Sequence, residues 1–210
     1  MDIINICKKY SMISNERFVN NIESIKYIEE KQIEGDVVEI GVWKGGSILS
    51  MIKTYEKSNK NIRNFHLYDT FEGMTKPLEI DKDLNNNDSS ELLKTNVLVK
   101  AYSPYEEVYY NIKNNINYDI SKIFFHKGDI LNNTFYPLKI ALLRLDTDWY
   151  ESTKHELETF YKYVVKGGII IIDDYGHWKG CKKAVDEFLE NYPDIKLIKI
   201  DYTGVFFIKP

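Results

Sequence analysis

Cysteine is scarce in this chain of 210 residues, which contains only Cys7 and Cys181. Two cysteines cannot form a disulfide framework or a four-ligand zinc site by themselves. We therefore expect free thiols in a protein of a reducing compartment, the cytoplasm. Long apolar runs are also missing, since none approaches the ~20 residues that span a bilayer. The N-terminus, MDIINICKKYSM, lacks the basic region and continuous apolar run of a secretion signal, so we expect no membrane association.

The chain also has no excess of positive charge. The chain has 28 basic and 32 acidic residues, a net charge of −4 and a pI near 5.7. Its basic residues are scattered in short groups, whereas a nucleic-acid-binding protein usually has a basic face. We therefore expect no nucleic-acid partner. The length indicates a single domain over residues 1–210, with enough chain to bury a core.

Short apolar runs alternate with segments of helical pattern. Strands that alternate with helices indicate a parallel α/β sheet, and continuous apolar runs are typical of strands covered on both faces. Near the C-terminus two further apolar runs are separated by DYTG, which predicts a hairpin that adds an antiparallel strand. A helix is predicted over 183–193, before that hairpin. The predicted strands are 37–40, 65–68, 122–126, 139–145, 167–172, 195–200 and 205–209.

Two segments lie outside this alternation. Residues 1–34 form an N-terminal helical segment, with a helix at about 14–32 that either pairs subunits of a homo-oligomer or covers the substrate. Residues 72–100 contain Pro, Asn, Asp and Ser and few large apolar side chains. Long irregular segments in compact domains are usually functional or disordered. We interpret 72–100 either as a surface insertion or as a lid over the site.

A glycine-rich turn, VVEIGVWKGGS, follows the first predicted strand. Gly41 permits a tight exit from the strand, and Gly45 lets a ligand or helix approach the backbone. The spacing differs from the dinucleotide fingerprint G-x-G-x-x-G. Glu39 lies inside the strand, where an acid favours a positively charged ligand amine over a pyrophosphate. The pattern predicts a cofactor site of that kind.

Acidic residues follow the second and third strands. Asp69 ends the second strand, where an acid in a doubly wound sheet commonly binds ribose hydroxyls. The alternative is an N-cap for the next helix. Asp129 follows the third strand. Because ligands of open α/β sheets bind outside the carboxyl ends of the strands, these acids are expected at one edge.

Four carboxylates follow the fourth and fifth strands. Like charges at short range raise one another's pKa unless a cation lies between them. Mg²⁺ favours carboxylate oxygens and keeps several waters, so it is the metal we expect here. The alternative is that these acids cap helices. The four residues are Asp146, Asp148, Asp173 and Asp174.

The blocks LRLDTDWYEST and GGIIIIDDYGHWKGCKKAVDEF, with VVEIGVWKGGS and YDTFEGM, resemble the macrocin O-methyltransferase family over about residues 35–190. The resemblance implies an α/β fold of the Rossmann-like class I methyltransferase type: a mostly parallel seven-stranded sheet with an antiparallel C-terminal strand and helices on both faces. It implies transfer of a methyl group from S-adenosylmethionine to a sugar hydroxyl, with bound Mg²⁺.

The resemblance also implies roles for individual residues. Glu39, Gly41 and Ser47 would surround the methionine part of the cofactor, Asp69 would meet the ribose, and Asp129 would lie near the adenine. The metal ligands would be Asp146, Asp173 and Asp174.

In this mechanism the metal binds one or two vicinal sugar hydroxyls and lowers the pKa of the attacking one. Asp148 is the first candidate for the base and His177 the second. A catechol-type acceptor is the principal alternative. An NAD-dependent sugar oxidoreductase is disfavoured by the missing fingerprint and by Glu39. A binding module without catalysis is disfavoured by the four clustered acids.

Overall fold

The computed structural model describes residues 3–58, 60 and 62–210. Its strands end where the apolar runs end. Since all six residues of the fourth strand are buried, its continuous apolar pattern fits a central position. The strands are β1 (Asp36–Ile40), β2 (Phe65–Asp69), β3 (Ile123–Lys127), β4 (Ile140–Leu145), β5 (Val164–Ile172), β6 (Ile198–Lys199) and β7 (Val205–Ile208).

The helices occupy the segments between strands. Short 3-10 turns add to them at Lys8–Tyr10, Ile120–Lys122, Ile130–Asn132 and Tyr161–Tyr163. The α-helices are α1 (Ile3–Cys7), α2 (Asn15–Glu30), α3 (Gly46–Glu56), α4 (Ser89–Thr95), α5 (Val97–Lys100), α6 (Tyr105–Lys113), α7 (Tyr150–Phe160) and α8 (Lys179–Glu190).

The seven strands form one sheet in the order β3-β2-β1-β4-β5-β7-β6. Strands β1 to β5 are parallel, and β7 runs antiparallel to β5 and to β6. The predicted Rossmann-like sheet with an antiparallel C-terminal strand is therefore confirmed. The strand order reverses between β1 and β4, and ligands of open α/β sheets bind at such a switch point.

Helices cover both faces of the sheet, as predicted. On one face α7 and α8 contribute Leu157 and Val185 to a core that includes Val38 and Ile170. On the other face α2, α3 and α6 bury their apolar side chains against alternate residues of the same strands. Because both faces are covered, the carboxyl edge of the strands is the open side at which a ligand can approach.

The N-terminal helix predicted at about 14–32 is α2. The side chain of Ser14 accepts the N–H of Arg17 and caps the helix, and Phe18 and Ile25 are buried. Residues 1 and 2 of the predicted segment 1–34 lie outside the described residues. The association of this segment with another subunit stays a prediction. No helix in the described part of the chain is long and apolar enough to cross a membrane.

The last helix starts earlier than predicted. The sequence placed it at 183–193, whereas α8 spans Lys179–Glu190 and includes Gly180. A Cβ on Gly180 would lie 1.7 Å from the Asp81 carboxylate, so glycine is needed for close packing there rather than for ending a helix. The carboxylate also accepts the backbone N–H of Tyr150 at 2.7 Å.

Candidate active site

A cavity of about 300 Å³ opens at the carboxyl ends of β1, β4 and β5. Two parts of the chain outside the sheet also line it. Ser11, Met12 and Ile13 come from the segment before α2, and Met74 and Val99 come from the predicted segment 72–100. Whether 72–100 acts as a lid stays a prediction, but its residues form part of the wall.

The glycine-rich turn is held by Asp69. Its carboxylate accepts the backbone N–H groups of Val42, Trp43 and Phe71 at 2.7, 2.9 and 2.7 Å. Burial raises the pKa of Asp69, and these three hydrogen bonds oppose that shift. Asp69 thus fixes the turn and also lines the cavity, where a carboxylate oxygen with two lone pairs can accept another donor.

Gly41, at the end of β1, packs directly against the backbone at the end of β4. Its φ is +83°, and a Cβ there would lie 1.9 Å from the carbonyl oxygen of Asp146. Ser47 lines the cavity and accepts a hydrogen bond from Asn21 Nδ2 at 3.0 Å. Of the two expectations for Gly45, a ligand or a helix close to the backbone, the structure shows the helix, because the missing Cβ faces Ile112 of α6 at 3.2 Å. Gly45 allows a helix, rather than a ligand, to approach the turn.

Glu39 also lies away from the position expected of it. The side chain is fully buried, does not line the cavity, and accepts a hydrogen bond from Arg144 Nη1 at 2.6 Å. One positive charge that faces this acid is therefore a guanidinium of the protein, while Glu39 Oε2 is buried without a hydrogen-bond partner among the described residues. Burial raises the pKa of Glu39 to about 7, and Arg144 opposes that rise.

Arg144 connects three carboxylates behind the cavity. Besides Glu39, its guanidinium donates to Asp146 at 2.6 Å and to Asp173. Asp173 also accepts from Arg17 of α2, which pairs with Asp201 at 3.0 Å. Both oxygens of Asp173 are thus engaged by arginines. Asp173 as a metal ligand stays a prediction, and in this structure its two oxygens are paired with guanidiniums.

Three acids do come together at the cavity. One carboxylate oxygen from each of Asp146, Asp148 and Asp174 lies within 4.8 Å of the others. Burial and then the neighbouring carboxylates raise the pKa of Asp148 to about 7 and that of Asp174 well above its ordinary value. Asp174 Oδ2 is buried without a hydrogen-bond partner. Such a cluster fits a divalent cation, which would bind the unpaired oxygen and offset the repulsion.

The two candidate bases both line the cavity. Asp148 has a φ of +69°, in the left-handed region. His177 is half-buried, and burial lowers its pKa. Its Nδ1 lies 3.5 Å from the hydroxyl of Tyr202, in the turn between β6 and β7. Asp129 also lines the cavity, but its carboxylate accepts the Leu131 N–H at 3.0 Å and caps a 3-10 turn.

Two arginines of the site, Arg17 and Arg144, were not predicted from the sequence. Arg144 had a signal, because a charged residue inside the run KIALLRL must meet acids when that strand is buried. Arg17 had none, since only the packing of α2 brings it to the end of β5. Thr147 and Glu156 were missed as well; Glu156 is fully buried on α7.

This sheet order, with its cavity at the switch point, defines a class I methyltransferase fold. The chain matches the macrocin-O-methyltransferase (TylF) family over residues 6–209, and it belongs to that family. The chain is therefore an S-adenosylmethionine-dependent O-methyltransferase, and the predicted family and methyl donor are confirmed.

Two relatives of this chain come from Streptomyces species. Demethyldecarbamoylnovobiocin O-methyltransferase of Streptomyces niveus is 33% identical over 94% of this chain and 74% of its own length. The 4'-O-methyltransferase of Streptomyces olivaceus that acts on 8-demethyl-8-(2,3-dimethoxy-alpha-L-rhamnosyl)-tetracenomycin-C is 32% identical over the same shares. The solved structure of the O-methyltransferase NovP has a TM-score of 0.82 and 30% identity, covering 95% of this chain and 82% of that one.

Proposed function

We propose that this enzyme transfers a methyl group from S-adenosylmethionine to a hydroxyl of a sugar, in a glycoside or a nucleotide sugar, and that it requires a divalent cation, Mg²⁺. The observation that carries the proposal is the cluster of Asp146, Asp148 and Asp174 in the same cavity as the glycine-rich turn. The names of the relatives support a sugar acceptor, since one of them methylates a rhamnosyl group and another is a mycinamicin III 3''-O-methyltransferase.

Asp146 and Asp174 are the chain's ligands for the cation in this proposal. Mg²⁺ is commonly held by one or two carboxylates and keeps other positions for water or substrate oxygens, so two ligands suffice. When bound, the cation polarises acceptor oxygens and lowers the pKa of the hydroxyl. Asp173 keeps its ion pairs with Arg17 and Arg144 and anchors the strand end beside Asp174.

Asp148 is the proposed general base. Its carboxylate lies beside both proposed ligands and lines the cavity, so it adjoins an acceptor hydroxyl held at the cation. It takes the proton of the acceptor hydroxyl, while the oxygen attacks the sulfonium methyl carbon in line. The new oxygen–carbon bond forms as the carbon–sulfur bond breaks, and S-adenosylhomocysteine leaves. His177 is the second candidate for this proton.

The cofactor is proposed to lie along the turn that Asp69 fixes. Gly41 and Ser47 would adjoin its methionine part, Asp69 its ribose and Asp129 its adenine end, all of them cavity residues. Glu39 acts from behind the wall, through its ion pair with Arg144. Residues 72–100 would cover the bound ligands. A homo-oligomer formed through α2 stays a proposal, which light scattering of the purified chain would test.

A screen with isotopically labelled S-adenosylmethionine tests the acceptor. The panel contains glycosides, nucleotide sugars and catechols, because a metal and cofactor site of this kind would equally serve a catechol. We expect label on a sugar hydroxyl and none on a catechol. Transfer to catechols alone would replace the sugar acceptor by the alternative. A binding titration with NAD in place of S-adenosylmethionine is the control, and no binding is expected.

A further inference from the structure

The loop between β4 and α7 presents two of the clustered acids in three residues. Asp146 and Asp148 flank Thr147, and the φ of Asp148 is +69°. This left-handed conformation is uncommon for residues other than glycine, and it persists where the surroundings hold it. The groups that hold this loop therefore control where both carboxylates point.

Thr147 is held from behind by α7. Its hydroxyl oxygen lies 2.8 Å from Glu156 Oε1 and 2.8 Å from Ser152 Oγ. Ser152 Oγ in turn donates to the carbonyl of Trp149 at 3.2 Å, and the Trp149 N–H donates to the carbonyl of Thr147 at 2.8 Å. Glu156 is fully buried and does not line the cavity.

The directions of these hydrogen bonds depend on the charge of Glu156. A hydroxyl has one proton, so Thr147 donates to only one of its two neighbours and accepts from the other. Burial raises the pKa of Glu156 well above its ordinary value, which favours the neutral acid. The neutral acid donates to Thr147, Thr147 donates to Ser152, and Ser152 donates to the Trp149 carbonyl. In this series the hydroxyls of Thr147 and Ser152 each donate one hydrogen bond and accept one.

We propose that Glu156 is a positioning residue for methyl transfer, whose hydrogen bond with Thr147 fixes the directions of Asp146 and Asp148. Glu156 touches neither cofactor nor acceptor. The proposal rests on the roles proposed above for those two aspartates. Its signature is that an amide replaces the carboxyl group without loss, because glutamine keeps a hydrogen-bond partner for the Thr147 hydroxyl at the same place.

Four variants separate this role from a merely structural one. Glu156→Gln keeps a hydrogen-bonding group, whereas Glu156→Met and Thr147→Val remove one end of the hydrogen bond at similar volume. Glu158→Met, on the exposed side of the same helix, is the matched control. We expect kcat to fall about tenfold or more in Glu156→Met and Thr147→Val, with the dissociation constant of S-adenosylmethionine within about twofold of wild type. Glu156→Gln and Glu158→Met should stay within about threefold of the wild-type kcat.

Hydrogen exchange of the peptide around 145–152 gives a readout that needs no acceptor. Exchange should be faster in Glu156→Met and Thr147→Val than in wild type, and unchanged in Glu156→Gln. Equal exchange in all variants would overturn the proposal, as would loss of activity in Glu156→Gln. If Glu156→Met does not fold, Thr147→Val against Glu156→Gln decides the question. If wild type methylates no sugar, the proposed function fails, but the exchange comparison still tests Glu156.

Discussion

Asp148 and Asp173 are both acids that follow a core strand, yet their surroundings give them different chemistry. Asp173 has an arginine on each of its two carboxylate oxygens, so both oxygens are already paired within the protein. Asp148 lies among other carboxylates and lines the cavity. A carboxylate beside like charges holds a proton more readily, which suits proton transfer, whereas one between guanidiniums suits anchoring.

Asp148→Asn removes the proposed base while keeping the shape of the side chain. We expect kcat to fall about 100-fold or more, since an amide cannot accept the proton. Calorimetry should give an unchanged affinity for S-adenosylmethionine. Glu151→Gln, an exposed neighbour in the first turn of α7, is the control. Near-normal turnover of Asp148→Asn would assign the proton to another group, with His177 tested next.

Asp174→Asn and Asp173→Asn separate ligand from anchor. For Asp174→Asn we expect the Mg²⁺ concentration at half-maximal rate to rise about tenfold or more, because a ligand is lost. For Asp173→Asn that concentration should change little. Instead, the free energy of unfolding should fall, by up to about 3 kcal/mol, because Arg144 and Arg17 each lose one of their carboxylate partners. An equal rise in the Mg²⁺ requirement of both variants would restore Asp173 as a ligand.

At the scale of elements, the sequence predicted the strands well because each is a continuous apolar run bounded by polar residues. The acids at the strand ends were also predictable, since parallel strands bring their carboxyl ends to one edge. The residues that pair with those acids were not predictable. Glu39 looked free to bind a ligand because nothing local indicates that Arg144, on the neighbouring strand β4, lies opposite it. Register across the sheet, rather than local pattern, decides such pairs.

Gly41→Ala tests the contact between the glycine-rich turn and the β4 end. The new Cβ would collide with the carbonyl of Asp146, so the two strand ends must separate. We expect loss of S-adenosylmethionine binding and a lower midpoint of thermal unfolding. Gly167→Ala is the matched control, since Gly167 has a similar φ of +79° and faces only the end of the Ile33 side chain. Equal loss of stability in both would attribute the effect to backbone strain alone.

Strands β2 and β3 carry a histidine pair that predicts a pH dependence of stability. His126 Nε2 lies 3.0 Å from His66 Nδ1, and burial, then His66, lower the pKa of His126 to about 4. Between pH 6.5 and 4 the unfolded chain binds a proton that the folded chain excludes. The contribution of His126 to stability is therefore complete above pH 6.5 and is lost as the pH decreases to 4.

Urea unfolding at several pH values between 7 and 4 measures this loss. His126→Gln keeps a polar partner for His66 but cannot titrate, so its stability should depend less steeply on pH in that window. The same steepness in variant and wild type would assign the loss to other groups. The contribution of the acidic cluster to the pH dependence of stability is measured separately, by repeating the urea unfolding series at saturating Mg²⁺.

At the scale of the whole molecule, the cavity is closed by chain segments that are distant in sequence. The segment before α2, the region 72–100 and the turn between β6 and β7 all meet over the strand ends. Ser14 and Arg17 tie α2 to Asp201 in that turn, at 2.7 and 3.0 Å. No local pattern encodes such meetings, and so the sequence predicted the edge at which the site lies but not the wall around it.

The dependence of methyl transfer on a divalent cation tests the central claim most directly. Initial rates are measured with labelled S-adenosylmethionine and a sugar acceptor identified by the screen, first with excess EDTA and then with Mg²⁺ restored. We expect EDTA to abolish methyl transfer while the affinity for S-adenosylmethionine is retained. Restored Mg²⁺ should recover the rate of the wild type but not, at the same concentration, that of Asp174→Asn. Full activity in excess EDTA would contradict the central claim.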